Sequence, residues 1–364
     1  MLAHYQETGL LPVWSMQGNE TNMMLGYHSV PVIVDAYFKG FDFDANLAYE
    51  ACKASAMTST RKIDVFAEKG YVPAEEKEGD WSVSKTLEYA YDDWCIAMFA
   101  KDLGKEDDYQ YFLKRSGYWK NTYDSKTSFF RAKDKNGQFI AGFNSKDYSD
   151  YFSESNAWQY YWFVPQDIPG LIKTTGGEER FTQKLDSMFS LHPTEDDKLP
   201  IFSTGMIGQY AHGNEPSHHV AYLYDYIGKP SETQKLVRQI LNEQYKNEPN
   251  GHCGNEDCGQ MSSWYIFSSM GFYPVNAAQG TYMLGVPLFE SAEINLPGGK
   301  KFNIKTSNFT DGNMFVANVK LNGEDLDRAY ITHDEIVDGG ELLFEMSKKP
   351  VDKVLKTPKP NTIY

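Results

Sequence analysis

The chain has only four cysteines in 364 residues, Cys52, Cys95, Cys253 and Cys258. That is too few for a disulfide framework. Cys253 and Cys258 lack the CxxC spacing and partner cysteines of a structural zinc site, and read as packing thiols or at most one bridge. No apolar run is long enough to cross a bilayer, and residues 1–10 (MLAHYQETGL) lack the charged and apolar regions of a signal peptide. Positive charge is scarce: the formal net charge is −15 and no basic run occurs. This argues against nucleic acid or an anionic membrane surface as partner.

Aromatic residues are abundant, at 15%, with 25 Tyr, 22 Phe and 7 Trp. Such residues build cores, and their flat faces also line sugar-binding clefts. Hydrophobic residues at 41% and charged residues at 23% describe an ordinary globular chain, long enough for more than one structural unit.

Helical text dominates the first three quarters. Residues 27–40 read as a buried helix with Pro31 in its first turn and Gly40 at its end. Residues 43–57 form a second, capped by Asp44. The clearest amphipathic pattern is residues 84–103, with Leu87, Ala90, Tyr91, Trp94 and Met98 on one stripe. Asn136-Gly137 signals a hairpin, and Ser231 with Gln234 a capping box for residues 232–245. From about Tyr282 the text turns β-rich, with strands expected at 292–296, 301–306, 315–321, 330–332 and 342–346. Gly-rich turns and Asp311-Gly312 punctuate them. The reading is mainly α: a helical domain over 1–278, a small antiparallel β unit over 279–356, and a polar, frayed tail over 357–364. Similar helices joined by long loops suggest hairpins around a toroid, with chemistry on the loop face.

Three loops concentrate chemistry. In YFSESNAWQYYWFV, Glu154 is the only acid among aromatics, and an apolar wall holds a proton on a carboxyl longer than water does. The alternative is a Glu helping to cap residues 156–161. In GQYAHGNEPSHH, Asn214 and Glu215 are hard oxygen donors of the kind calcium takes. His212, His218 and His219 lack HExxH spacing and suit a hydrogen-bonding wall better than zinc. In GHCGNEDCGQMSSWY, Asp257 precedes an aromatic helix, either as its N-cap or as an ionised carboxylate. A proton donor, a second carboxyl and aromatic walls form a glycosidase-like set. Thr175-Gly176-Gly177 is not followed by a phosphate-loop Lys, and no GxSxG elbow occurs.

Four long stretches, GNETNMMLGYHSVPVIVDAY, SESNAWQYYWFVPQDIPGLI, EPSHHVAYLYDYIGKPSETQKLVRQIL and GNEDCGQMSSWYIFSSMGFYPV, together resemble glycoside hydrolase family 92. The likeness runs from the first loop to the C-terminal β unit. It implies a calcium-dependent, inverting exo-α-mannosidase acting on α-mannoside glycans, with a β-sandwich, an (α/α)6 toroid and added β elements. Matched by position, Glu154 is the general acid and Asp257 the general base. Asn255 stands where some members are expected to carry a second Asp, and Ser155 where the motif usually has Gly. Asn214 and Glu215 fall in the calcium motif, with Asn156, Trp158, His212 and His218 as candidate sugar contacts. Inversion requires carboxyl groups roughly 6.5–9.5 Å apart, against about 5 Å for retention.

The resemblance also implies a periplasmic or extracellular bacterial setting. The chain starts within helical text, so the sandwich and first toroid helices are expected to be missing and turnover by the chain alone weak or absent. Two alternatives are a mannose-binding remnant without turnover and a metal-free toroidal hydrolase of glucoamylase type.

Overall fold

The computed structural model describes every residue except Glu76, Lys77, Glu78, Glu195, Asp196, Lys198 and Asp311. Most of the 75–79 loop and the Asp311 half of the Asp311-Gly312 turn therefore lie outside the described residues. The helical body is arranged around Ser82–Asp102, in which only Lys85, Lys101 and Asp102 escape burial. The expected amphipathic stripe is thus one side of a helix covered all round, which its Ala- and aromatic-rich text permits. The helices Ser29–Phe38, Ala45–Ala56 and Glu106–Arg115 pack on it. Asp44 caps the second of these by accepting from Leu47 N–H.

Three acids on the central helix are buried with it: Glu88, Asp92 and Asp93. A buried charge persists only with partners, and each has them. His28 bridges two, Nδ1 lying 2.7 Å from Asp92 and Nε2 2.8 Å from Glu88. Burial disfavours a charged imidazole here, but the two acids outweigh it and raise the His28 pKa well above its ordinary value. Asp93 receives Arg115 Nε at 2.6 Å and Tyr27 Oη at 2.7 Å.

The C-terminal region contains a five-stranded sheet in the order Glu324–Asp325, Phe315–Leu321, Gly340–Ser347, Lys301–Ser307, Ser291–Asn295. It is mixed, not purely antiparallel: Lys301–Ser307 pairs parallel with Gly340–Ser347, Phe302 opposite Gly340. The long crossover between them, residues 308–339, makes that direction possible. Alternate residues Leu342, Phe344 and Met346 join Phe302, Ile304 and Val316 in the core. A smaller sheet has Thr281–Leu284 between Phe272–Tyr273 and Tyr330–Thr332.

Three local expectations change for tertiary reasons. The capping box on Pro230–Glu243 does not form. Asp352 instead accepts from Ser231 N–H at 3.1 Å and Ser231 Oγ at 2.6 Å, and Gln234 Oε1 accepts from Val316 N–H. The Asn136-Gly137 hairpin does form, with Asp134 N–H donating to the Gln138 carbonyl and Ile140 N–H to the Ala132 carbonyl, but it is short, and Phe129–Phe130 pairs with Tyr123–Asp124 instead. The tail is docked, not frayed: Trp94 Nε1 donates to Asn361 Oδ1 at 2.9 Å, Gln279 donates to the Lys359 and Thr362 carbonyls, and Tyr364 packs on Tyr330.

Candidate active site

Glu154 lies on a segment fastened to the central helix. Ser153 N–H donates to Ser84 Oγ at 3.0 Å, and Tyr160 Oη donates to Glu88 at 2.7 Å. Between these anchors Glu154 takes φ 52°, a left-handed conformation costly for a residue with a side chain. It does not cap the next helix. Asn156 does, accepting from Trp158 and Gln159 N–H in a capping box with Gln159. Burial raises the Glu154 pKa, and the charges of Asp257 and Glu88 add to that, while a hydrogen bond from Asn214 opposes it. The four groups therefore lie within electrostatic or hydrogen-bond reach of Glu154.

Asn214 and Asp257 lie on two loops brought together by glycine. A Cβ on Gly254 would stand 2.7 Å from Gly213 Cα, closer than any real side chain tolerates. The absence of both methyls lets residues 212–219 and 251–258 touch. Their acids then meet, as Glu215 and Asp257 hydrogen-bond carboxyl to carboxyl. Burial, that hydrogen bond and the Asp257 charge push the Glu215 carboxyl up to about 7. Glu215 as a residue remains open to solvent, with its carboxyl hydrogen-bonded to Asp257. Asn214 Oδ1 accepts from Glu215 N–H at 3.1 Å, tying the acid's neighbour to the pair.

Asp257 is not the N-cap of Gln260–Ser269. Gly259 occupies that position, and Glu256 supplies the carboxylate, accepting from Gly259 and Ser262 N–H. Asp257 has φ 50° and Asn255 is exposed on the same loop. Thus the two acids of the NED triplet divide their work: Glu256 spends its oxygens on helix amides and Asp257 faces Glu215.

The four candidate sugar contacts have the following protein partners. His212 is fully buried, with Nδ1 2.7 Å from Tyr210 Oη and Nε2 2.7 Å from Tyr245 Oη. His218 Nε2 donates to the His212 carbonyl at 2.9 Å, leaving Nδ1 to accept from Gln260 Nε2 at 3.0 Å. Asn156 is fully buried between its helix amides, Gln209 and the Lys146 carbonyl. The Trp158 ring lies against Phe129 at 4.9 Å and near Lys184 Nζ at 5.0 Å, in an aromatic cluster with Tyr161. Buried polar groups must be satisfied, and in each of the first three cases the protein has already done it.

The histidines' burial has a pH consequence. Burial lowers both His218 and His219 to about 4. Unfolded, a histidine titrates near 6.5. Between those values the unfolded chain takes up protons that the folded chain refuses, so stability falls as pH drops from about 6.5 towards 4. Thermal unfolding followed across that interval should show a falling midpoint, and His218→Gln should flatten the slope. An unchanged slope in the variant would remove His218 from the account.

The donor set admits a hard cation. Glu215, Asp257 and Asn214 offer oxygen only, and the nearby histidines are committed elsewhere. Two carboxyls in contact require either a shared proton or a positive charge. Among the described residues no group of three or more His, Cys, Asp or Glu side chains is gathered so as to hold a metal ion by itself. Glu215 and Asn214 side chains carry oxygen donors of the chemical type calcium accepts.

Residues 1–348 match the glycosyl hydrolase family 92 catalytic domain. The chain belongs to glycosyl hydrolase family 92. A family 92 α-mannosidase from Bacteroides thetaiotaomicron, solved in complex with mannoimidazole, is 41% identical with a TM-score of 0.93, over 98% of this chain and 48% of that one. A family 92 inverting mannosidase from the same organism is 35% identical with a TM-score of 0.88, over 99% of this chain and 51% of that one. An uncharacterized secreted glycosidase of Arthroderma benhamiae is 28% identical over 96% of this chain and 48% of its own length. The chain spans about half the length of these relatives. Among the described residues no helix is long and apolar enough to cross a membrane.

In this family 92 chain, sequence reasoning missed Glu88 and Glu256. Glu88 could have been noticed as an acid inside an Ala- and aromatic-rich helix, where a charge needs a reason. Glu256 carried the signal of an acid six residues before Ser262, too far for a standard capping box.

Proposed function

We propose that the chain removes terminal α-linked mannose from glycans by an inverting, calcium-assisted hydrolysis. The observation that carries this is the approach of Glu154, Glu215 and Asp257, from three distant segments, to within reach of one another's charge. Family membership and the likeness to α-mannosidases support it. Glu154, which burial keeps protonated to higher pH than an ordinary Glu, donates its proton to the glycosidic oxygen as the C1–O bond breaks. Asp257 takes a proton from the water that attacks C1 on the opposite face. Room for that water sets the carboxyl separation at roughly 6.5–9.5 Å. Asn214 links the acid to Glu215 by hydrogen bonds to each. Glu215, with Asn214, would hold Ca²⁺, which supplies positive charge and open positions for vicinal sugar hydroxyls.

We further infer that the helices belong to an (α/α)6 toroid, with the domain division near residue 278. The name of the fungal relative supports a location outside the cell. The test is hydrolysis of nitrophenyl α-mannoside and α-mannobiose with calcium and with chelator. The expected result is mannose release that chelation abolishes and calcium restores. Turnover indifferent to chelation would favour a metal-free toroidal hydrolase. Calcium-dependent mannose binding without turnover would favour a binding remnant, a reading kept because the chain spans about half its relatives.

A further inference from the structure

Asp257, Cys258 and Gly259 take successive φ values of 50°, 56° and 105°. Left-handed backbone is costly for each residue that carries a Cβ, so two adjacent ones persist only when the surroundings over-determine them. Nothing covalent does so here, since Cys253 and Cys258 are both free thiols. The turn is held by Glu256. One of its oxygens accepts from Gly259 N–H at 2.6 Å; the other accepts from Ser262 N–H at 2.9 Å and Ser262 Oγ at 2.5 Å. Its carbonyl accepts from Met261 N–H at 3.2 Å. The helix so capped is tied to the 212–219 loop, Gln260 to the His218 ring and Trp264 Nε1 to the His218 carbonyl at 2.9 Å. Asp257 therefore sits in a strained arch, with the Glu256 clamp at its helix end and the Gly213–Gly254 contact at the other.

We propose that Glu256 is a positioning residue, clamping the Asp257–Cys258–Gly259 turn so that the Asp257 carboxyl is held towards Glu215 and the attacking water. This rests on the assignment of Asp257 as base given above. It touches no substrate, and all the donors on its carboxyl are the protein's own.

The test compares the full chain with Glu256→Gln and Glu256→Ala by peptide-resolved amide exchange, thermal unfolding and kinetics on α-mannobiose with calcium. Glu256→Ala is expected to speed exchange at least about tenfold over residues 257–262, the loss of a hydrogen bond or two, leaving residues 82–102 unchanged. Its kcat should fall about 10- to 100-fold with KM within about twofold, as for a misplaced group. Glu256→Gln, which keeps an acceptor, should recover part of both effects. Unchanged exchange in residues 257–262 overturns the proposal. So does faster exchange with undiminished kcat, or exchange raised equally throughout the chain in both variants. If the unmodified chain releases no mannose, the mannosidase reading fails separately, and the exchange result still decides whether Glu256 clamps the turn.

Discussion

Glu154→Gln is expected to lower kcat on α-mannobiose by about 10²- to 10⁴-fold while leaving calcium and mannose binding in place. The glutamine amide fills the same space and can still receive the Asn214 hydrogen bond, but has no proton to give. The size of the loss should depend on what leaves. A sugar alkoxide needs its proton during C–O cleavage, whereas nitrophenolate departs without one. The variant should therefore lose far less on nitrophenyl α-mannoside than on α-mannobiose. Equal losses on both substrates would mean that Glu154 positions the sugar and does not protonate the leaving group.

The second large effect is on stability and lies away from the chemistry. Arg115→Met should destabilise the chain by about 3–5 kcal/mol in denaturant unfolding at neutral pH. Arg115 is 1% exposed and donates to both oxygens of Asp93, at 2.6 and 3.1 Å, and to the Ala56 carbonyl at 3.1 Å. Without it the central helix carries an uncompensated carboxylate. Burial already pushes Asp93 up to about 7 against the opposing pull of Arg115, and removing the cation raises it further. A carboxyl whose folded pKa exceeds its unfolded value weakens the fold above the unfolded pKa, and the penalty fades as the group is protonated. The unmodified chain shares that penalty below about pH 7, so the variant's deficit should shrink as pH falls from about 9 to about 7 and stay level below that. Adding Asp93→Leu to Arg115→Met should recover much of the loss, since the pair then leaves no charge behind. A deficit independent of pH would point to lost packing alone.

Much of this was legible in the residues. Asp44 marked a helix start, the 315–321 alternation marked a strand, and Glu154, Glu215 and Asp257 were drawn from three segments that the fold brings together. The misses share one cause, which is that local patterns do not know their tertiary partners. Leu87, Trp94 and Met98 gave a true apolar stripe, but nothing local says that Tyr89, Asp92 and Asp93 are buried behind it. Ser231 and Gln234 made a plausible cap until Asp352 and Val316 reached them from the C-terminal region. His212, His218 and Asn156 read as sugar contacts from their place near acids, and their protein partners were not legible. Their actual partners, Tyr210, Tyr245, Gln260 and Gln209, could be found only in three dimensions. The parallel pairing of Lys301–Ser307 with Gly340–Ser347 depends on a crossover whose path no strand pattern records.

One measurement bears most directly on the pair of acids: the anomer of mannose first released, followed by proton NMR before mutarotation. Glu154 and Asp257 acting from opposite faces of the sugar predict that β-mannose appears first from an α-mannoside. α-Mannose as the first product would mean two displacements at C1, and the assignment of Asp257 as the base that activates water would be wrong.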